Sequence, residues 1–415
     1  MNNAIANQFT SRLEDYQPIV GKSSIDELRL LANRLARKSV QHVNSTFVGG
    51  GVAEILSRMV PLLNQLGINA RWDVIKGDDR FFDITKKFHN ALHGRKEQLS
   101  KEDFEYFIEI NRKNFDVLWS SADYYLIHDP QPVLMIEKKE ELGGKWIWRC
   151  HIDVSQPDMN VWGFLDDYVE KYDAAVFSAP NFAQNLSISQ FMISPSIDPL
   201  SDKNRDLPAS AIEAVLNKYN IDPQKPMVAQ ISRFDYLKDP LGVIQAFEMV
   251  RKGIDCQLVL AGGAATDDPE SAKVLEEVQK YADGKKDIKI LLLPPGSDIE
   301  INALQRAATV VFQKSLREGF GLTISEALWK GKPVVATAVG GIPLQINDRL
   351  TGLLCYSVEG AAYALKQLLS NREFAERLGR NGKEHVRQNF LITRHLKEYL
   401  LMFTALYNTS DIIYI

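Results

Sequence analysis

Two glutamates eight positions apart, Glu318 and Glu326, bracket a glycine-containing loop in Arg317-Glu-Gly-Phe-Gly-Leu-Thr-Ile-Ser-Glu-Ala-Leu328. The apolar spacing after the loop predicts a helix, which places Glu318 in the loop and Glu326 about one or two turns into the helix. Ionised carboxylates only accept hydrogen bonds, so Glu318 suits the hydroxyls of a sugar and Glu326 those of a ribose. The amides of Gly319, Phe320, Gly321 and Leu322 stand at the helix start, where backbone N–H groups meet phosphate or sugar oxygens. A plain helix entry with two solvated glutamates is the alternative, but Gly-Phe-Gly is costly for a mere surface helix.

Ser232-Arg-Phe-Asp-Tyr-Leu-Lys238 follows the apolar run Met227–Ile231. A guanidinium fork at Arg233 and a mobile ammonium at Lys238 suit a diphosphate, although charges on a loop are also ordinary surface. Gly49-Gly-Gly51 precedes a buried-helix pattern, Val52–Val60. There Gly50 and Gly51 would let amides approach an anion, or simply form a tight turn. His128-Asp-Pro-Gln-Pro132 and Arg149-Cys-His-Ile-Asp153 each close a strand-like run. Polar groups at such ends face the ligand crevice of an open α/β sheet, so Asp129, Gln131, Arg149, His151 and Asp153 are candidates. Each histidine alone reads as well as a hydrogen-bonded structural residue. His128 and His151 are not spaced as a metal-binding helix face, and no third ligand stands out. The Gly-x-x-x-x-Gly-Lys-Ser/Thr order of a P-loop is missing, as is the full Gly-x-Gly-x-x-Gly dinucleotide pattern.

These residues need a scaffold of alternating strands and helices. Strand-like runs recur at Gln41–Ser45, Ala70–Ile75, Tyr124–Ile127, Trp146–Cys150 and Ala174–Phe177, and again at Met227–Ile231, Gln257–Ala261, Ile288–Leu293, Thr309–Phe312 and Pro333–Ala336. Their alternation with helical stretches predicts two parallel-sheet series, and several of the runs are continuous and apolar, as strands covered on both faces are. The Pro-, Ser- and Asp-rich stretch Ser194–Asn204 marks a crossing between them, and helical apolar spacing from Phe390 to Phe403 predicts a last helix that packs back onto the first series. The expected organisation is an N-terminal domain over 1–200, a second domain over 201–389, and a returning segment over 390–415.

A chain of 415 residues has room for two cores. Its net charge of −4 gives no electrostatic footprint for nucleic acid. Cys150, Cys256 and Cys355 lie too far apart for a disulfide framework and fit a reducing compartment. The start, Met1–Glu14, lacks the basic and apolar parts of a secretory signal, and no apolar run reaches the roughly 18–20 residues of a membrane span; the apolar tail Asp411–Ile415 is far too short. The sequence therefore reads as cytoplasmic.

Together these positions resemble the retaining glycosyltransferases of family 4. The resemblance covers nearly the whole chain: Gly49-Gly-Gly51, His128-Asp129, Cys150-His151, Ser232-Arg233 with Lys238, Glu318-Gly-Phe-Gly321 through Glu326, and Gly340-Gly-Ile-Pro343. The two glutamates with Arg and Lys upstream are its most specific element. Within the family, Ala70-Arg-Trp72, Lys87–His93, His128–Pro132, Trp148–Asp153 and Pro195–Pro199 are similar to the trehalose-forming members. Two positions depart from the common pattern. Asp239-Pro240 follows the matching lysine where Gly is usual, and Leu344 replaces a frequent Glu.

The resemblance implies an α/β, GT-B fold, with two Rossmann-like, doubly wound domains facing across a cleft and a C-terminal helix crossing back to the first. It implies glucose transfer from a nucleoside-diphosphate glucose (ADP-, UDP- or GDP-glucose) to glucose, forming α,α-trehalose reversibly with retained configuration. Arg233 and Lys238 would neutralise the leaving diphosphate, Glu318 would hold the donor glucose and Glu326 its ribose. Gly50 and Gly51 would contact the diphosphate or sugar, and His151 would sit at the donor sugar. Asp129, Gln131, Arg149 and Asp153 are the acceptor-side expectations. No cofactor is required. Magnesium can accompany the free diphosphate, but no Asp-x-Asp element stands in an obvious donor-site position, and Asp267-Asp268 reads as a loop. The expected partners are the nucleotide sugar and glucose or trehalose, with neither nucleic acid nor membrane. An exposed edge of the first domain leaves room for a homodimer. The alternatives are a trehalose phosphorylase, a family 4 transferase with another small acceptor and, in a different class, a sugar or nucleotide sensor without turnover.

Overall fold

The computed structural model describes residues 11–48, 50–263 and 269–407. Gly49, Asp267, Asp268 and the apolar tail at 411–415, all singled out in the sequence, lie outside them. The chain divides by internal packing into one unit formed by Met1–Ser196 with Ile392–Ile415, and a second formed by Ile197–Leu391.

In the first unit, six strands form one parallel sheet: β1 (Ser39–Asn44), β2 (Asn69–Val74), β3 (Tyr124–His128), β4 (Lys145–Arg149), β5 (Ala174–Phe177) and β6 (Ser189–Met192). Their spatial order is β2-β1-β3-β4-β5-β6. Strands β3 and β5 are buried along their whole length, as continuous apolar runs require. Sequence reading missed β6, because Ser-Gln-Phe-Met is an edge strand with an exposed and intermediate pattern rather than an apolar run.

The last helix, Ile392–Tyr407, buries Ile392, Leu396, Tyr399, Leu400 and Phe403 on one stripe at helical spacing. Tyr124 at the start of β3 donates its hydroxyl to the Phe403 carbonyl at 2.9 Å, and the two rings lie 4.6 Å apart. This helix therefore covers the sheet face that carries the even-numbered residues of β3.

The second unit contains β7 (Met227–Ile231), β8 (Gln257–Gly262), β9 (Ile288–Leu292), β10 (Val310–Gln313), β11 (Val334–Thr337) and β12 (Leu353–Cys355), again all parallel, in the order β12-β11-β10-β7-β8-β9. β12 has three residues and gave no usable pattern in the sequence. Its core packs Val228, Phe247, Leu258, Leu260, Phe312 and Leu365 among others. The chain enters this unit at Ile197 and leaves at Leu391, which pair as an isolated parallel bridge, with the Ile197 N–H donating to the Phe390 carbonyl at 2.8 Å.

Each sheet has one place where successive connections run off in opposite directions. It lies between β1 and β3 in the first unit and between β7 and β10 in the second. The carboxyl ends of strands flanking such a point form the ligand crevice of open α/β sheets.

Candidate active site

In the second unit, the loop after β7 and the loop after β10 flank that point, and the sequence supplies them with opposite charges. Lys238 ends a short turn, Tyr236–Lys238, entered through Asp235, whose carboxylate accepts the Leu237 N–H at 2.8 Å. Lys238 Nζ donates to Glu318 Oε2 at 2.5 Å, and Ser315 Oγ donates to the same oxygen at 3.1 Å. The loops are also tied by backbone, the Leu316 N–H donating to the Leu237 carbonyl at 2.7 Å. Arg233 stands beside them with its side chain 59% exposed and Asp235 at 3.6 Å, leaving the guanidinium open to solvent. The turn approaches β8 closely. A Cβ on Gly262 would fall 1.7 Å from the Ser232 carbonyl oxygen, so no larger residue fits the end of that strand.

The helix after the loop is Leu322–Trp329, capped by Gly321 at φ 82°. Glu326 is therefore one turn inside it. It is only 4% exposed, and Gln305 Nε2 donates to its Oε2 at 3.1 Å while Lys203 Nζ lies 3.9 Å from Oε1. The solvated-glutamate alternative is thereby removed. Phe320 turns its ring into the core, 5.5 Å from the Phe390 ring, and its carbonyl accepts from Gln345 Nε2 at 2.5 Å. What Phe320 can offer a ligand is its amide. Lys314 and Asp239, which departs from the family glycine, form an ion pair between the same two loops. Asp239 adopts φ 46° and caps the helix Pro240–Arg251 by accepting the Gly242 N–H at 3.0 Å.

In the first unit, Gly50 at φ 77° and Gly51 open the helix Gly50–Gln65 beyond β1. The positions closing β3 and β4 behave differently from the expectation that strand ends face a ligand edge. Arg149 is completely buried, its Nη2 donating to Ser178 Oγ at 3.3 Å, while its Nε and Nη1 have no hydrogen-bond partner among the described residues. Its register partner is His128, which is 1% exposed. Asp129, at φ 63°, accepts the His151 N–H at 2.7 Å, so its carboxylate fixes the backbone of the next strand end. Burial pushes its acid up to about 7, against the opposing effects of that hydrogen bond and of Arg149. Asp153, 2% exposed, accepts both the N–H and the hydroxyl of Ser155. Gln131 is partly exposed, with Oε1 buried and unpartnered among the described residues.

His151 is joined to two further histidines. Its Nε2 lies 3.1 Å from His128 Nδ1, and His128 Nε2 lies 3.0 Å from His42 Nδ1. His42 was passed over in the sequence as one residue of a strand, because its relation to His128 and His151 depends on the sheet order β1-β3-β4. Burial pushes His42 down to about 3 and holds His128 and His151 well below the usual imidazole range, so all three are neutral near pH 7. Among the described residues no group of three or more His, Cys, Asp or Glu is arranged to hold a metal ion, and no helix is long and apolar enough to cross a membrane.

The fold has solved counterparts. Sucrose-phosphate synthase from Thermosynechococcus elongatus superposes with a TM-score of 0.72 at 17% identity, over 90% of this chain and 100% of that one. Two such sheets give the chain the GT-B fold. Residues 42–184 match the family model described as trehalose synthase, N-terminal domain, and residues 211–385 that of glycosyl transferases group 1. Trehalose synthase of Thermococcus litoralis is 46% identical over 94% of this chain and 96% of its own length. Trehalose phosphorylase of Grifola frondosa is 27% identical over 90% of this chain but only 58% of its own. The chain belongs to the trehalose synthase family.

Proposed function

We propose that this protein transfers glucose, with retention, from a nucleoside-diphosphate glucose to glucose, forming α,α-trehalose in a reversible exchange. The observation that carries this reading is the 46% identity to a trehalose synthase over nearly the full length of both chains. The second unit's charges fit the donor's chemistry. Arg233 and Lys238 neutralise the diphosphate as the glycosidic bond breaks, which is where electrostatic stabilisation is largest. Glu318, held by Lys238 and Ser315, presents its remaining oxygen to the donor glucose. Glu326 accepts from the ribose, and the amides from Gly319 to Leu322 meet phosphate or sugar oxygens.

In the first unit, the amides of Gly50 and Gly51 serve the diphosphate or donor sugar. His151 hydrogen-bonds a donor hydroxyl, and its carbonyl supports the positive charge that develops on the sugar. Acceptor binding falls first to Gln131, whose Oε1 has no hydrogen-bond partner among the described residues, while Arg149, completely buried, and Asp129 and Asp153, which accept the His151 and Ser155 N–H groups, support that strand edge from beneath. The departing phosphate takes the acceptor proton, so no separate enzymatic base is needed, and basic side chains neutralise charge without requiring a metal.

A trehalose phosphorylase is the second reading, favoured by the likeness to the Grifola frondosa protein. Incubation with trehalose and either phosphate or ADP, UDP or GDP separates the two. Nucleoside-diphosphate glucose is the expected product, and glucose 1-phosphate formed from phosphate would favour the phosphorylase.

A further inference from the structure

His42 and His128 stand on two adjacent strands, β1 and β3, and His151 lies two residues past the end of the next, β4, each step moving two residues toward the carboxyl edge. His42 on β1 is in register with Leu126 on β3, and His128 lies two residues beyond Leu126 on the same face. His128 is in register with Arg149 on β4, and His151 lies two residues beyond that. The rings lie edge to edge, with centroids 5.3 and 5.4 Å apart and planes inclined by only 25° and 18°, as hydrogen bonds between ring nitrogens require. His42 and His128 are buried, whereas His151 is partly exposed at the outer end.

Both ring nitrogens of His128 face another imidazole nitrogen. A neutral imidazole has one donor and one acceptor nitrogen. His128 must therefore donate to one neighbour and accept from the other, which leaves the row two arrangements. Either every proton points outward, from His42 through His128, and His151 carries its proton on Nδ1; or every proton points inward, and His151 Nδ1 is bare. The inner end decides between them. His42 Nε2 is buried with no partner among the described residues, and the inward arrangement would place an unpaired N–H there. Buried donors without partners are rarer in folded proteins than under-satisfied acceptors.

We infer that His42, His128 and His151 form a coupled tautomer relay in which His42 and His128 are positioning residues that fix His151 as the Nδ1–H donor. The consequence rests on the glucosyl-transfer reading, since it is there that His151 meets the donor sugar. A fixed Nδ1–H donates to a sugar hydroxyl oxygen, whereas the other tautomer could only accept from it. The ring is oriented by its hydrogen bond to His128 and its backbone by Asp129, so the proton arrives already aimed.

The test uses the full chain with ring-15N histidine, seven residues in all, and two-bond 1H–15N correlation spectra, with His151 assigned from His151→Asn. The expected spectrum shows His151 as the Nδ1–H tautomer. In His42→Asp, whose carboxylate only accepts, His128 donates from Nε2 and accepts at Nδ1, so the His151 tautomer gives way to the Nε2–H form and kcat falls about tenfold at unchanged donor KM. In His42→Asn, whose amide can donate from the Nδ1 position, the wild-type tautomer and kcat are kept. A wild-type His151 carrying its proton on Nε2, or a tautomer identical in wild type and His42→Asp, overturns the relay. If His42→Asp does not fold, the wild-type and His42→Asn spectra still decide the proton's position. A shifted tautomer with unchanged kcat overturns the positioning role. Absence of any glucosyl transfer in the wild type would instead count against the function, leaving the spectral result intact.

Discussion

Lys238 Nζ donates to Glu318 Oε2 at 2.5 Å, joining the loops that follow β7 and β10. The pair holds a cation and a carboxylate, 20% and 14% exposed, at the ligand edge of the second sheet. Lys238→Ala removes both a positive charge available to a diphosphate and the restraint on Glu318. Turnover is expected to fall by roughly 10²–10³-fold, the cost of deleting one transition-state donor, as measured by steady-state transfer kinetics. A loss confined to stability would contradict the assignment.

Arg233 separates chemistry from folding more cleanly, because its side chain is 59% exposed. Arg233→Ala should leave the unfolding free energy within about 0.5 kcal/mol of wild type while lowering kcat by about 10²-fold. Urea titration and initial rates on the same preparation check both halves.

Glu326 is buried against Gln305, so removing it affects both binding and folding. Glu326→Ala leaves the Gln305 amide unpaired, at a cost of about 1–3 kcal/mol. It should also weaken nucleoside-diphosphate binding by at least about tenfold, as a lost hydrogen bond to a ribose hydroxyl would. Calorimetric titration of the nucleotide reads the second effect. Unchanged affinity would remove Glu326 from the ribose.

Gly321 stands at φ 82°, and a Cβ there would lie 3.2 Å from Glu318 Cγ. Gly321→Ala therefore pays roughly 1–2 kcal/mol for the left-handed conformation and crowds the carboxylate beside Lys238. Reduced kcat together with a lowered unfolding midpoint is the expected pair of results.

Acid should destabilise the first unit through its buried imidazoles. His42, His128, His151 and His395 are all depressed by burial, His42 to about 3. The unfolded chain then binds more protons than the folded one below about pH 6.5, the ordinary imidazole value, so the stabilisation present above that pH is lost as the pH falls. Asp129, raised to about 7, acts oppositely, favouring the fold as the pH falls from about 7 toward the ordinary carboxylate range. Asp166 is raised by burial as well, but four histidines against two carboxylates give a net loss, and unfolding free energies at pH 7.5, 6.5 and 5.5 should decline in that order.

Ten of the twelve strands were legible, most because a parallel strand covered on both faces is written as an apolar run, as in Val334–Ala336, and the more polar β1 and β2 from their place in the alternating series. β6 and β12 lacked that signal, one being a polar edge and the other three residues long. The charges of the second unit were legible because Arg233, Lys238 and Glu318 follow directly on recognisable strands. The burial of Arg149 was not, since it depends on the sheet face covered by the helix Ile392–Tyr407, more than two hundred positions later. The row of histidines was hidden for a related reason. Its members are 86 and 23 residues apart and meet only because β3 lies between β1 and β4.

The most direct test of glucosyl transfer is proton NMR of a single reaction. The purified protein is mixed with 13C-labelled glucose and, in turn, ADP-, UDP- and GDP-glucose, and the anomeric signals are followed. At least one donor should yield free nucleoside diphosphate and a disaccharide whose two anomeric centres are both α, one of them labelled. A β-configured product, or no labelled disaccharide from any of the three donors, would contradict retaining transfer to glucose.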